Sequence, residues 1–142
     1  MKIKLLLICT LAGVLNISLA QTKEDFRAAK HTYEEGSLNY RVLYPEGFDS
    51  TKEYPLVLFL HGAGERGTNN EKQLVHGSKL FLDPSNREKF PAIVVFPQCP
   101  PEDYWANVHR PLDENGKRQF TYFTTKTEPT LAMKGLLSLV DS

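Results

Sequence analysis

Two uninterrupted apolar runs, "PLVLFL" at residues 55–60 and "AIVVF" at 92–96, most limit what this chain can fold into. Neither alternates polar with apolar positions, as a strand with one wet face would. Each therefore reads as a strand covered on both faces, the habit of a parallel sheet. Between them "NNEKQLVHGSKLFLD" (69–83) can supply a crossover helix, which makes a βαβ unit with a right-handed connection. Ahead of the first run, "FRAAKHTY" and "LNYRVLYP" flank Glu34-Glu35-Gly36-Ser37 and read as an antiparallel hairpin at a sheet edge. Residues 107–127 are polar, with an Asn115-Gly116 turn signal and a short "FTYF" run, and read as a surface excursion. "TEPTLAMKGLLSLVDS" closes the chain as a helix with Thr127 as N-cap and Pro129 in its first turn. Its expected apolar face is Met133, Leu136, Leu137 and Val140, with Lys134, Ser138 and Asp141 opposite.

The pattern is α/β, and 142 residues of ordinary globular composition allow one domain. Lys plus Arg equals Asp plus Glu at 17 each, so no basic field marks a nucleic-acid partner. Residues 1–20 read as a secretory signal. Lys2 and Lys4 precede an apolar stretch from Leu5 to about Leu15, and Ser18-Leu19-Ala20 sets small residues at the cleavage positions. That stretch is shorter than the ~20 residues a membrane span needs. The expectation is a secreted or periplasmic domain at 21–142, cleaved after Ala20, with no membrane span. Cys99 is then the one thiol, so no internal disulfide forms, and beside Pro100 it reads as a buried small hydrophobe.

The first apolar run ends in "HGAGERGTNN". Gly62, Gly64 and Gly67 have the G-x-G-x-x-G spacing of a dinucleotide loop, and Asp83 lies 21 residues beyond Gly62, near where a ribose ligand would fall. Against that reading, Gly67-Thr68-Asn69-Asn70 lengthens the loop where a phosphate-binding helix should start. Export would also separate the protein from nicotinamide pools, and a tight phosphate turn has no need of His61. The competing reading is an oxyanion loop: Gly62 and Gly64 let the chain turn while the Ala63 N–H stays open to a substrate oxygen. No cofactor is expected, and no His, Cys or carboxylate pair has zinc-ligand spacing.

"YPLVLFLHGAGERG" followed by "KFPAIVVFPQCPPEDYWA", with "LNYRVLYPEGFD" ahead of them, resembles the N-terminal part of secreted α/β-hydrolases. The group is that of esterases, phospholipase/carboxylesterases and dienelactone-hydrolase-like proteins. The resemblance runs from about Phe26 to the last helix. It implies the N-terminal portion of an α/β-hydrolase fold: a hairpin leading into a parallel sheet with crossover helices. It further implies a serine hydrolase of carboxylic esters with a Ser-His-Asp triad, no metal, and a small ester as substrate of the full-length form. By position Ala63 becomes the first oxyanion donor, His61-Gly62 the frame of its loop, and Trp105 part of the acyl or alcohol pocket. Arg66 is a candidate substrate contact, beside the reading of Glu65 and Arg66 as an intra-loop or solvated pair.

G-x-S-x-G is absent: "HGSKLF" around Ser78 and "GLLSLV" around Ser138 have the wrong spacing. In the family the nucleophile, acid and base follow the helix that closes this chain. The expectation is a truncated, incomplete domain without turnover, whose "PLVLFL" strand is left as an open edge. His31, His76 and His109 read as surface or packing residues, His61 as a residue that orders its loop, and Asp83 before Pro84 as a helix or turn terminator. A second function stays open: a secreted, non-catalytic carbohydrate-binding module with Tyr104, Trp105, Phe120 and Tyr122 as its platform.

Overall fold

The computed structural model describes residues 22–123, 125 and 128–142. The expected signal segment and the expected cap Thr127 lie outside them. The hairpin forms as predicted: β1 (Arg27–Tyr33) and β2 (Gly36–Leu43) pair antiparallel from Arg27↔Val42 to Tyr33↔Gly36. The two apolar runs become β3 (Leu56–Leu58) and β4 (Ile93–Gln98), which pair in parallel. The sheet order is β1-β2-β4-β3, so the hairpin holds one edge and β3 the other.

The crossover from β3 to β4 is not one helix. It breaks into a 3-10 turn (Lys72–Leu74), α1 (Ser78–Leu82) and α2 (Pro84–Lys89). Gly77 causes the first break: its φ is +80°, and a Cβ there would run into the Phe59 ring. Asp83 causes the second. It ends α1, precedes Pro84, and caps α2 by accepting the Asn86 N–H at 3.0 Å.

The sheet has two differently covered faces. Under α1 and α2, Phe26, Leu43, Leu74, Leu82, Val94 and Phe96 are buried together. Phe96 is the centre of this layer, stacked on Phe59 at 4.6 Å and met edge-on by Phe26 at 5.0 Å and Phe81 at 5.6 Å. On the opposite face α3 (Leu131–Val140) lies across β1 and β2. Here the expected helix face is corrected. The buried residues are Ala132, Gly135 and Leu136, while Leu137 and Val140 are half exposed. Gly135 sets this rotation by letting the Tyr33 ring approach so closely that a Cβ would overlap it. Ser138 and Lys134, expected to face water, instead reach His31 Nε2 (2.9 Å) and Glu35 (3.0 Å) on the hairpin. The helix is capped by Thr130, which accepts from the Met133 N–H.

A second correction concerns β3, expected to be covered on both faces. Val57 and Phe59 pack into the core, but Leu56, Leu58 and Leu60 are 46%, 37% and 40% exposed. α3 packs over β1 and β2, at the other side of the sheet order from β3. The polar excursion forms a small hairpin of β5 (Val108–His109) and β6 (Thr121–Tyr122), its turn organised by Asp113, which accepts from the Asn115 and Lys117 N–H groups.

Gly77→Ala combines a left-handed backbone with a clash against Phe59. It is expected to lower stability by about 2–4 kcal/mol, read as a shifted urea midpoint at constant m-value.

A candidate active-site loop at the carboxyl ends of the parallel strands

β3 and β4 point the same way, so the loops leaving them emerge side by side. In open α/β sheets this is the end at which ligands bind. The parallel ladder there is regular up to a defined point: the Ile93 N–H donates to Pro55 O (2.9 Å) and the Phe59 N–H to Val95 O (2.9 Å). The next bond would run from residue 97 to the Phe59 carbonyl, but residue 97 is proline and has no N–H. One step further the series would join the Cys99 N–H to the His61 carbonyl. Instead the Cys99 N–H donates to the His61 ring, at Nε2 (3.0 Å), and the His61 carbonyl accepts from the Trp105 indole N–H (3.2 Å).

The other ring nitrogen, Nδ1, lies 2.6 Å from the Gly62 carbonyl. Because Nε2 must accept from an amide, Nδ1 carries the proton, and the imidazole is neutral with both nitrogens committed. Burial pushes the His61 pKa below its ordinary value and favours that neutral form, opposed by the bond to Gly62 and by Glu65. His61 is therefore a frame for the loop. With its Nε2 lone pair engaged, it has no free site to take a proton from a nucleophile.

The loop itself begins with a 3-10 turn at Ala63–Glu65. The Ala63 N–H meets no acceptor among the described residues, and Ala63 is one of the residues that line a cavity of about 200 Å³. Arg66, the candidate substrate contact, binds back to the protein. Its Nε donates to Ala63 O (3.0 Å), its Nη1 to Pro101 O (2.8 Å) and Asp103 O (3.1 Å), and the guanidinium lies 4.2 Å over the Tyr104 ring. It also lines the cavity rim. Glu65 faces His76 at 3.6 Å, so the expected Glu65–Arg66 pair is replaced by two separate attachments.

The far side of the loop is moored by residues the sequence reading did not single out. Buried Gln98 accepts the Asn70 N–H at Oε1 (2.7 Å) and donates from Nε2 to Asn69 Oδ1 (2.8 Å) and Glu65 O (3.2 Å). Asn70, at φ +55°, donates from its side chain to Tyr40 O (3.1 Å) and Ala29 O (3.3 Å) and accepts Arg41 Nε at its carbonyl (2.6 Å). The Gly67 N–H donates to Cys99 O (3.0 Å). Gln98 closes the apolar "AIVVFPQ" strand, and that was the available signal: a buried amide at a strand end needs partners.

The structure brings His61, Gly62, Ala63, Arg66 and Trp105 to one cavity, and Tyr104, Phe120 and Tyr122 line it with them. No serine, histidine and carboxylate meet as a triad among the described residues. Ser78 is buried and donates to Leu74 O (2.7 Å), and Ser138 sits on α3 against His31, which takes no carboxylate partner among the described residues. The Cys99 thiol is buried, its pKa pushed up to about 12 by burial and by Asp103, so it stays protonated. The dinucleotide reading fails on the same geometry: the glycines lead into 3-10 turns, and Asp83 is spent as a helix cap. A larger apolar concavity of about 750 Å³ lies elsewhere, between α2 and the sheet beside Leu43, Phe90 and Val94. It holds none of the candidate residues.

Comparison with solved structures fits this layout. A thermostable esterase superposes on 59% of the chain with a TM-score of 0.54 and 38% identity. The chain carries a partial α/β-hydrolase fold. It spans 24% of that esterase. A ferulic acid esterase from the anaerobic fungus Anaeromyces mucronatus matches 51% of the chain at 28% identity and a TM-score of 0.38, covering 29% of that protein. Among curated sequences, the probable dipeptidyl-peptidase 5 of Aspergillus terreus (strain NIH 2624 / FGSC A1156) is 38% identical over 42 residues, and that of Aspergillus niger 43% over 42 residues. Each match covers 30% of this chain and 6% of the relative. No family model matches. No described helix is long and apolar enough to cross a membrane.

The depressed His61 pKa gives a signed pH dependence. Above its ordinary value of 6.5 the imidazole is neutral folded and unfolded, and its contribution is complete. As pH falls through that value towards the lower folded one, the unfolded chain takes up the proton first and stability declines, by at most ~1.4 kcal/mol per pH unit. Urea titrations between pH 7.5 and 5 are expected to show this decline in the native chain. In His61→Gln, which can still accept the Cys99 N–H but cannot titrate, the slope should be shallower.

Proposed function

We propose that this chain is the front part of a secreted serine-type hydrolase of carboxylic esters. Its loop from His61 to Gly67 supplies one oxyanion donor, and the 142-residue chain has no ester turnover of its own. The observation that carries the reading is the Ala63 N–H, which has no acceptor among the described residues, on a residue that lines a cavity where the parallel strands end. A backbone donor already in place needs no reorganisation when charge develops on a carbonyl oxygen, and one such donor typically lowers the barrier by about 2.7–4 kcal/mol. The missing partners are equally specific: a serine on a G-x-S-x-G elbow, with a second N–H behind it, and an acid and a base later in sequence. The leader at residues 1–20 supports export of the product.

β3 is the edge strand of the order β1-β2-β4-β3, which also fits a sheet that continues past it in the full-length form. An unpaired apolar edge is one that natural proteins cover. A frame continuing beyond Ser142 into G-x-S-x-G, then Asp and His, would complete the enzyme.

Incubation of the purified chain with a fluorophosphonate probe and with an aryl acetate is expected to give no covalent adduct by mass spectrometry and hydrolysis at the buffer rate. A labelled serine, or turnover well above buffer, would overturn the claim that the chain is inactive alone.

A further inference from the structure

The His61 imidazole offers the Cys99 N–H one lone pair, and a proton competes for it. Nδ1 already carries a proton toward Gly62 O at 2.6 Å, so a second proton at Nε2 makes that nitrogen a donor facing the Cys99 N–H at 3.0 Å. Two donors share no bond. The amide must then find another acceptor or stand buried without one. The His61 carbonyl is at hand, occupied by the Trp105 indole N–H through a bond of 3.2 Å, at the long end of the normal range.

The surroundings let this stretch move without the rest of the loop. Beyond the turn the chain is held by amide and guanidinium donors: Gln98 Nε2 on Glu65 O (3.2 Å), the Gly67 N–H on Cys99 O (3.0 Å) and Arg66 Nη1 on Pro101 O (2.8 Å). Between His61 and those moorings lie Gly62, Ala63 and Gly64, closed by a 3.3 Å bond from the Glu65 N–H to Gly62 O. A Cβ at Gly64 would meet nothing within 4 Å among the described residues, so the turn has room.

The charged and titratable groups around the ring come from three stretches. On its own loop Glu65 favours the protonated ring and Arg66 opposes it, and exposed His76 meets Glu65 at 3.6 Å. After β4 come the Cys99 thiol, which stays protonated, and Asp103, whose carboxylate already accepts the Tyr104 and Ala132 N–H groups. Tyr104, its hydroxyl drawn to Arg110, lines the cavity with Tyr122 of the β5–β6 hairpin, where His109 lies against Phe123. Glu65 is the carboxylate beside the turn: its Oε2 would lie 3.1 Å from a Cβ at Gly62.

We infer that His61 is an acid-operated latch, in which protonation at Nε2 moves the Cys99 N–H from the ring to the His61 carbonyl, turns the ring toward Glu65 and releases the Trp105 indole. Burial delays that proton to a pH below the ordinary imidazole value. Neutral pH keeps the aromatic wall docked, and mild acid frees it while the strands stay paired. The latch goes beyond the ester-hydrolase reading and does not depend on it.

The chain has one tryptophan and two cysteines, Cys9 and Cys99, so nitrogen-15 labelling of those residue types gives assignable N–H resonances. Titrated from pH 7.5 to 5, the Trp105 indole and Cys99 amide resonances are expected to move together, with one midpoint below 6.5. Over that range the indole N–H should exchange with water about tenfold faster or more after correction for the intrinsic rate, while the Cys99 amide stays protected and the far-UV circular dichroism holds constant. A nearby charge alone would shift both resonances without speeding the exchange. His76→Gln and His109→Gln are expected to keep the midpoint, and His61→Gln to abolish both changes. Where His61→Gln fails to fold, the triple variant His31→Gln/His76→Gln/His109→Gln, which retains His61 as its one histidine, must still show the transition. A transition that survives in His61→Gln, disappears in the triple variant, coincides with loss of the circular dichroism, exposes the Cys99 amide or leaves indole exchange unchanged overturns the latch, as does the absence of any transition.

Discussion

At the end of β4 an imidazole takes the place of a peptide group. The Cys99 N–H would complete a parallel ladder on the His61 carbonyl, but it is met by the ring of the same residue, which frees that carbonyl for Trp105. One side chain thereby joins both strand ends, the first turn of the glycine loop and the aromatic wall of the cavity. Each link is a hydrogen bond between groups that would be costly to bury unpaired. Remove the ring and three things lose their reference at once: the Cys99 amide, the Gly62 carbonyl and, through the backbone, the indole.

Around this point the loop is held from two sides by unlike means. On the strand side the bonds are part-buried and run mostly between neutral amides, centred on Gln98 and Asn70, with the Arg41 guanidinium on the Asn70 carbonyl. On the outer side Arg66 reaches three carbonyls and a tyrosine face, a grip that uses the planar guanidinium as a template. The surface pair Lys134–Glu35, by contrast, is about one-third exposed and contributes little to holding α3. What fixes that helix is the close approach of Tyr33 to Gly135.

The hairpin, the two parallel strands and the loop after the first of them were legible because they depend on local pattern: alternation, apolar runs, glycines beside a histidine. The helix pieces were less so. One amphipathic window over 69–83 hides Gly77, whose left-handed backbone splits it, and the face of α3 could not be read because leucines at 137 and 140 look like core until a neighbour is placed. Of the residues that line the small cavity, His61, Gly62 and Ala63 were singled out on the glycine motif and Trp105 on the resemblance. Gln98 and Asn70 were not. A polar side chain announces its role only when the amides it satisfies are known, and those come from strands up to 41 residues away.

Pro97 gives the arrangement a further meaning. Because it offers no N–H toward β3, the point at which β3 leaves the sheet is written in β4, a neighbour more than thirty residues distant. The Cys99 amide has two possible acceptors on His61, carbonyl and ring, and the gap at Pro97 tips that competition by ending the ladder before the carbonyl can be drawn into line. The loop's shape is thus a choice between two acceptors for one hydrogen bond, decided by an imino acid that lies outside the loop.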